Sequence, residues 1–192
     1  GKSAIILVPE ISLTPQTVER FKARFEADIA VLHSGLSSGE RYDEWRRARR
    51  GEVRIVVGAR SAVFAPLENL GIIVVDEEHD LSYKQADPAP RYHARDVAIM
   101  RAKLGGAVCV LGSATPSLES YTNCVRGKFA LMTLTKRATA ARLPAVEIVD
   151  MRAETKDSTS APFLSSRLEA AIRQRVEQKE QVLLLLNRRG FS

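Results

Sequence analysis

Short apolar runs rich in isoleucine and valine alternate along this chain with longer segments of helical period. The runs at 4–8, 29–32, 53–57, 72–75, 108–111, 129–134, 146–149 and 182–186 read as strands, most of them apolar throughout, as strands buried on both faces are. Between them the period changes. Thr14 is placed to cap a helix with Pro15 at its first position, and Val18, Phe21 and Phe25 then share one face. Ser37 with Glu40 makes a capping-box pattern for a second helix that Gly51 ends, while Val97, Met100 and Leu104 stripe a third that Gly105 ends. Ser166 with Glu169 repeats the capping pattern ahead of Leu168, Ile172 and Val176. Strands alternating with helices are the signature of βαβ units, so the expected class is α/β, a parallel sheet with flanking helices. Residues 135–165 change character, with Thr, Ala, Arg, Ser and Pro around one strand pattern at Val146, and read as a connector. The organisation expected is a first lobe over 1–134, the connector, and the beginning of a second lobe over 166–192. So short a second piece cannot bury its apolar face alone.

Composition narrows the class. Of 192 residues, 45% are hydrophobic and 27% charged, the profile of a globular protein long enough for one domain and part of another. No run approaches the length of a membrane span and no leader pattern opens the sequence, so the expectation is a cytoplasmic protein with no membrane partner. Cys109 and Cys124 have neither metal-site spacing nor the number of a disulfide framework. Lys and Arg total 29 against 23 acidic residues, a net charge of +6, which makes a polyanionic partner plausible. Seven arginines, Arg41, Arg46, Arg47, Arg49, Arg50, Arg54 and Arg60, fall in one short stretch with Trp45, but the run from Arg46 to Arg50 reads first as a solvated helix face with its stems over apolar surface.

Two strand ends carry candidate chemistry. The apolar run after Gly71 delivers Asp76-Glu77-Glu78-His79 at its carboxyl end, where ligands bind in open α/β sheets. A strand-end carboxylate such as Asp76 suits Mg²⁺ held through water, and Glu77 beside it suits orienting a water that attacks a phosphate. A buried strand closed by an acidic turn is the alternative. One helix and one strand later comes Leu111-Gly-Ser-Ala-Thr-Pro-Ser117, whose Ser113, Ala114 and Thr115 can sense those carboxylates; alone, it reads as a helix capped at Thr115. Gly1-Lys2-Ser3 imitates the end of a phosphate-binding loop, but a strand rather than a helix follows it, so it reads as a turn.

Asp76-Glu77-Glu78-His79 and Ser113-Ala114-Thr115 resemble motifs II and III of superfamily 2 helicases. Val8-Pro9-Glu10 with Leu13-Thr14-Pro15-Gln16 is similar to motif Ia, and Asn187-Arg-Arg-Gly-Phe191 to motif IV. With His33-Ser-Gly-Leu36, Gly58-Ala-Arg-Ser-Ala62, Tyr83-Lys-Gln85 and Arg91-Tyr-His-Ala-Arg-Asp96, the set resembles the replication-restart helicases over essentially the whole chain. That resemblance implies a RecA-like motor of two lobes that binds ATP with Mg²⁺, moves 3′ to 5′ on single-stranded DNA and acts at stalled forks in primosome assembly. It implies as partners forked and single-stranded DNA, primosome proteins, the replicative helicase loader and single-strand binding protein, in a nucleoid-associated setting. It assigns Asp76, Glu77, Glu78 and His79 to catalysis, with Asp76 on the metal, and Ser113, Ala114 and Thr115 to coupling. It also implies a zinc site whose ligands lie outside this chain, and a P-loop upstream of Gly1, so the chain by itself is expected to hydrolyse little or no ATP.

In that family the loop after motif II couples DNA to the ATPase, matched here by residues 80–96. Tyr83 and Tyr92 could stack on bases while Lys84, Arg91 and Arg95 meet phosphates, or the tyrosines could pack locally. Thr14, Arg60 and Ser61 are further candidates for phosphate contact, with ordinary capping and turn chemistry as their alternative. A DNA-binding piece without catalysis and a different superfamily 2 translocase stay open beside the restart helicase.

Overall fold

A computed structural model describes residues 1–25, 28–136, 144–152 and 164–185. The chain divides into two compact units, Gly1–Thr133 and Leu134–Ser192. The first unit is built on five parallel strands, β1 (Ser3–Leu7), β2 (Ile29–Leu32), β3 (Ile55–Gly58), β4 (Leu70–Val75) and β5 (Val108–Leu111), in the order β2-β3-β1-β4-β5. Helices α1 (Pro15–Phe25), α2 (Ser38–Arg49), α3 (Ala94–Leu104) and α4 (Leu118–Val125) connect and follow them, the α/β class expected.

Successive side chains of a strand point to opposite faces, and the core divides accordingly. On one face Ile5, Leu7, Leu32, Val56, Ile73 and Val75 pack with Ala48 of α2 and Ala94, Ala98 and Ala102 of α3. On the other, Val8, Ile29, Val31 and Val57 receive Val18, Phe21 and Phe25 of α1, the stripe predicted for that helix. This second face is uncovered further along the sheet: Val108 of β5 is 60% exposed and Val110 42%.

Local signals acted where predicted in α1 and α2. Thr14 Oγ1 accepts from the Thr17 amide at 3.3 Å. Ser37 Oγ accepts from the Glu40 amide and Glu40 returns a carboxylate oxygen to the Ser37 amide, with Gly51 at φ +70° beyond the helix end. Helix α3 ends at Gly105 as expected, but its buried face is different. Met100 is 52% exposed and Leu104 82%, while the alanine stripe faces the sheet, because a close helix–sheet approach admits a methyl group where it excludes longer side chains.

Three apolar runs are not strands. Residues 129–134, 146–149 and the described part of 182–186 have no regular structure, since an apolar segment becomes a strand only where a neighbour completes its ladder. In the second unit helix α5 (Ser166–Glu177) is capped by Ser165, whose Oγ accepts from the Leu168 amide at 3.1 Å, one residue before the cap expected at Ser166. Asn187 to Phe191 lie outside the described residues.

Gly58 closes β3 where a side chain has no room: a Cβ would meet the Leu32 carbonyl oxygen and lie 2.6 Å from the Ala62 Cβ. Gly58→Ala is therefore expected to lower stability by roughly 1–3 kcal/mol, read as a fall in the urea midpoint at constant slope, and an unchanged midpoint would contradict this packing.

Candidate functional site

The carboxyl ends of β1, β4 and β5 meet at one edge of the sheet. The Asp76 amide donates to the Leu7 carbonyl at 2.9 Å and the Gly112 amide to the Val75 carbonyl at 2.8 Å, so the last residue of each strand seats the next. Just past β4 the chain turns sharply. Glu77 has φ +45°, a left-handed conformation that a residue with a Cβ adopts only when its surroundings enforce it. Its amide donates to Asp76 Oδ1 at 3.1 Å, and the two carboxylates emerge side by side, Asp76 exposed and Glu77 half-exposed.

Glu78 takes the opposite course and is 1% exposed. Its Oε1 accepts from the Ser117 amide at 2.6 Å, and its Oε2 from Ser117 Oγ at 3.0 Å, Ser120 Oγ at 2.8 Å and Arg95 Nη1 at 3.1 Å. Arg95, itself buried, also donates to Ser117 Oγ at 2.7 Å and to Asp96 at 3.1 Å. Burial pushes the Glu78 pKa up, but the hydrogen bonds from Ser117, Ser120 and Arg95 outweigh it and hold the carboxyl below the ordinary carboxylate value. Glu78 is therefore held by protein donors at both carboxylate oxygens, in contrast to the exposed group that the catalytic role expected for it would require.

His79 returns to the surface beside Glu77. Its Nδ1 lies 2.7 Å from Ser113 Oγ and 3.6 Å from a Glu77 carboxylate oxygen, and its Nε2 lies 3.5 Å from Thr115 Oγ1. The Thr115 amide donates to Ser113 Oγ at 3.0 Å, folding the strand-end loop over His79, while Ala114 is exposed. The two strand-end motifs are thus in direct contact. Ser117, and not Thr115, caps α4. Pro116 has no amide hydrogen, and the next donors of the helix end turn toward Ser117 Oγ and Glu78.

The loop after β4 departs from expectation at its first aromatic residue. Tyr83 is 0% exposed, and its hydroxyl donates to the Asp76 carbonyl at 2.6 Å, so it cannot stack on a base as the sequence suggested. Burial, then the Asp76, Asp80 and Glu77 carboxylates, push its pKa far up, keeping it a neutral donor. Tyr92 is half-buried and meets Phe64 edge to face at 5.0 Å. Lys84 and Arg91 are exposed, and with Gln85 and Tyr92 they line a shallow pocket. Arg95 is withdrawn from any phosphate by its place against Glu78. Burial, then the neighbouring Arg95, lowers the pKa of His93, which caps α3 by accepting from the Arg95 amide.

The remaining candidates lie at the ends of β1, β2 and β3. Arg60 Nη1 donates to the Ser82 carbonyl at 3.3 Å and the Lys84 carbonyl at 3.1 Å, which ties this segment to the loop around Tyr83. Arg60 and the exposed Ser61 join Glu10, His33, Arg41 and Trp45 around a cleft of about 210 Å³, whereas Thr14 is exposed in its capping role. On α2, the Arg46 guanidinium lies 5.5 Å over the Tyr42 ring and that of Arg49 5.3 Å over Trp45, so both charged heads rest on aromatic faces of their own helix.

Residues 1–124 match the family model described as DEAD/DEAH box helicase. The chain belongs to the DEAD/DEAH box helicase family. Among curated relatives, this helicase segment is 54% identical to replication restart protein PriA of Bacillus subtilis (strain 168) over 100% of its length and 24% of that protein's. It is 52% identical to replication restart protein PriA of Chlamydia pneumoniae, covering 100% of the segment and 26% of the relative. The resemblance to restart helicases drawn from the motifs is borne out by these relatives, of whose length the helicase segment spans about a quarter. The Hef helicase domain of Pyrococcus furiosus is a distant structural likeness, with a TM-score of 0.44, 22% identity and coverage of 66% of this chain and 27% of that one.

Ser117 and Ser120 are site residues that sequence reasoning missed, and Arg95, read from the sequence as a phosphate contact, instead donates to Glu78. With the ordinary carboxylate value at 4.5 and the folded value below it, the stability that ionised Glu78 contributes is fully present above pH 4.5 and is lost as pH falls through the folded value. The unfolding free-energy difference between wild type and Glu78→Gln is expected to be flat from about pH 5 to 7 and to shrink in more acid solution; a difference independent of pH down to about 3 would contradict the ionised assignment.

Proposed function

We propose that this segment is the carboxylate-bearing part of an ATP-driven DNA motor, an ATP-dependent helicase that acts 3′ to 5′ at stalled or abandoned forks during replication restart. The observation that supports it most is the arrangement at the end of β4, with Asp76 and Glu77 side by side in solvent and His79 against Ser113 of the next strand end. The replication restart protein relatives support the same reading. Residues 1–134 are taken as the first lobe without its P-loop unit, 135–165 as the connector and 166–192 as the beginning of the second lobe. An element packed over that face of the sheet is what the exposed Val108 and Val110 of β5 call for.

The donors present fit Mg²⁺ with ATP. Among the described residues no cluster of three metal-ligating side chains occurs, while Asp76 offers one exposed hard oxygen donor, which suits an ion that keeps water and phosphate oxygens in its shell. Mg²⁺ with nucleotide would supply neutralisation of phosphate charge, held by Asp76 through water. Glu77 would accept a hydrogen bond from the attacking water and orient it, with its own position set by the left-handed turn. His79, bonded to Ser113 and near Thr115, would report the state of that carboxylate to the loop that follows β5. Lys84, Arg91 and Tyr92 on the loop after motif II, with Thr14, Arg60 and Ser61 at the neighbouring strand ends, would meet the single strand, through phosphate contact and ring stacking that carry no sequence preference.

The test is ATP hydrolysis by the full-length protein with and without forked DNA. Forked DNA is expected to raise the rate, and Glu77→Gln to lower turnover by about 10²–10⁴-fold while nucleotide and DNA still bind. Normal turnover in Glu77→Gln would remove its role. Fork binding without turnover in wild type would favour a non-catalytic fork-binding factor instead.

A further inference from the structure

Most of the arginine-rich stretch takes no part in the site at the end of β4. Helix α2 carries it, seated on the sheet through buried Ala48 and through Glu44, whose Oε2 accepts from the Val31 amide of β2 at 3.2 Å. Away from that contact, Tyr42, Trp45, Arg46 and Arg49 follow the i, i+3, i+4, i+7 spacing that puts four side chains of a helix in one stripe.

How the arginines are held decides what the stripe can bind. Arg47 is paired with Glu44 at 2.8 Å and Arg50 with Glu52 at 3.7 Å. Arg46 and Arg49 are held by rings instead, over Tyr42 at 5.5 Å and Trp45 at 5.3 Å, and those rings lie near-parallel with centroids 6.5 Å apart. Among the described residues neither Arg46 nor Arg49 has a carboxylate partner. Of the acids of α2, Glu40 is engaged at the Ser37 amide, Glu44 faces the sheet, and exposed Asp43 stands beside the stripe. A guanidinium settled on a ring keeps its charge and loses less freedom when a phosphate meets it than a free side chain would. The same contact occupies a face of each ring, which disfavours base stacking.

The stripe runs into the cleft at the neighbouring strand ends, because Trp45, with Arg41 one turn earlier, also lines that cleft beside Arg60 and Ser61. The single strand is proposed to pass there. In a fork a duplex arm continues from the single strand, and its bases are closed while its phosphates are regularly spaced. A row of fixed charges with covered ring faces on a rigid helix suits that arm better than it suits an open strand.

We propose that the arginine and aromatic stripe of α2 is a docking surface for the duplex arm of a fork, with Arg46 and Arg49 on its phosphates. This rests on the helicase reading above and adds a surface which that reading leaves without a partner.

The experiment uses the full-length protein and its double variant Arg46→Gln with Arg49→Gln, which keeps long side chains and removes both charges. Affinity for a forked DNA, and for its single strand without the complement, is measured by fluorescence anisotropy over a range of salt concentrations. Fork affinity is expected to fall in the variant, and the slope of log affinity against log salt to flatten by about 2, about 1 for each phosphate contact removed. Single-strand affinity is expected to stay within about twofold of wild type, since no strand phosphate is lost. The double variant Arg46→Lys with Arg49→Lys keeps the charges and is expected to restore the fork slope. An unchanged fork slope in the glutamine variant overturns the surface, as does a lysine variant with the same flattened slope. Single-strand affinity falling as far as fork affinity overturns it too. A wild type whose ATP hydrolysis does not respond to forked DNA removes the helicase reading instead, and the fork slope still decides the surface.

Discussion

A buried carboxylate has to be satisfied by protein donors or lose its charge, and the site follows from how Glu78 meets that constraint. Four donor contacts from three residues reach it, from Ser117, Ser120 and Arg95. These three residues belong to α4 with its cap and to the first turn of α3, so one side chain joins the end of β4 to the segments on either side of β5. With Glu78 turned inward, its sequence neighbours Glu77 and His79 are turned outward. The left-handed backbone at Glu77 is the local cost of that reversal, of order 1–3 kcal/mol, and the Glu78 network is what can offset it.

The same arrangement accounts for the contact between the two strand-end motifs. Ser113 and Thr115 reach His79 because Ser117, a few residues on, is anchored at Glu78 and the Glu78 amide donates to the Gly112 carbonyl at 3.0 Å. The loop 112–117 is therefore pinned at both ends, with His79 between. On the other side of the strand end, Tyr83 holds the Asp76 carbonyl. The carboxylates proposed to serve ATP are exposed at their oxygens and fixed at their backbone, the combination that a preorganised site requires.

Much of this fold was legible because it depends on local rules. The strands that became β2 and β5, the capping box of α2, the cap of α1 and the phenylalanine face of α1 all follow from period and end chemistry within a few residues. What was illegible depends on neighbours distant in sequence. The alanine face of α3 is set by how closely that helix approaches β4 and β5, and the larger Met100 and Leu104 mislead a reading by hydrophobicity. Tyr83 reads as an exposed loop aromatic until the Asp76 carbonyl is found over its hydroxyl, and the cap of α4 moves from Thr115 to Ser117 because Glu78 is there to share it. The runs at 129–134 and 146–149 have strand-like composition and no ladder. The Asp-Glu-Glu-His string was legible as a site, but not that its third residue serves the other two.

The most direct measurement is a crystal structure of the full-length protein with Mg²⁺ and a non-hydrolysable ATP analogue. The account predicts the ion beside Asp76 with water between them, the Glu77 carboxylate within hydrogen-bond reach of a water at the terminal phosphate, and Glu78 still held by Ser117, Ser120 and Arg95. A terminal phosphate far from Glu77, or Glu78 released from its donors and bound to the ion, would contradict it.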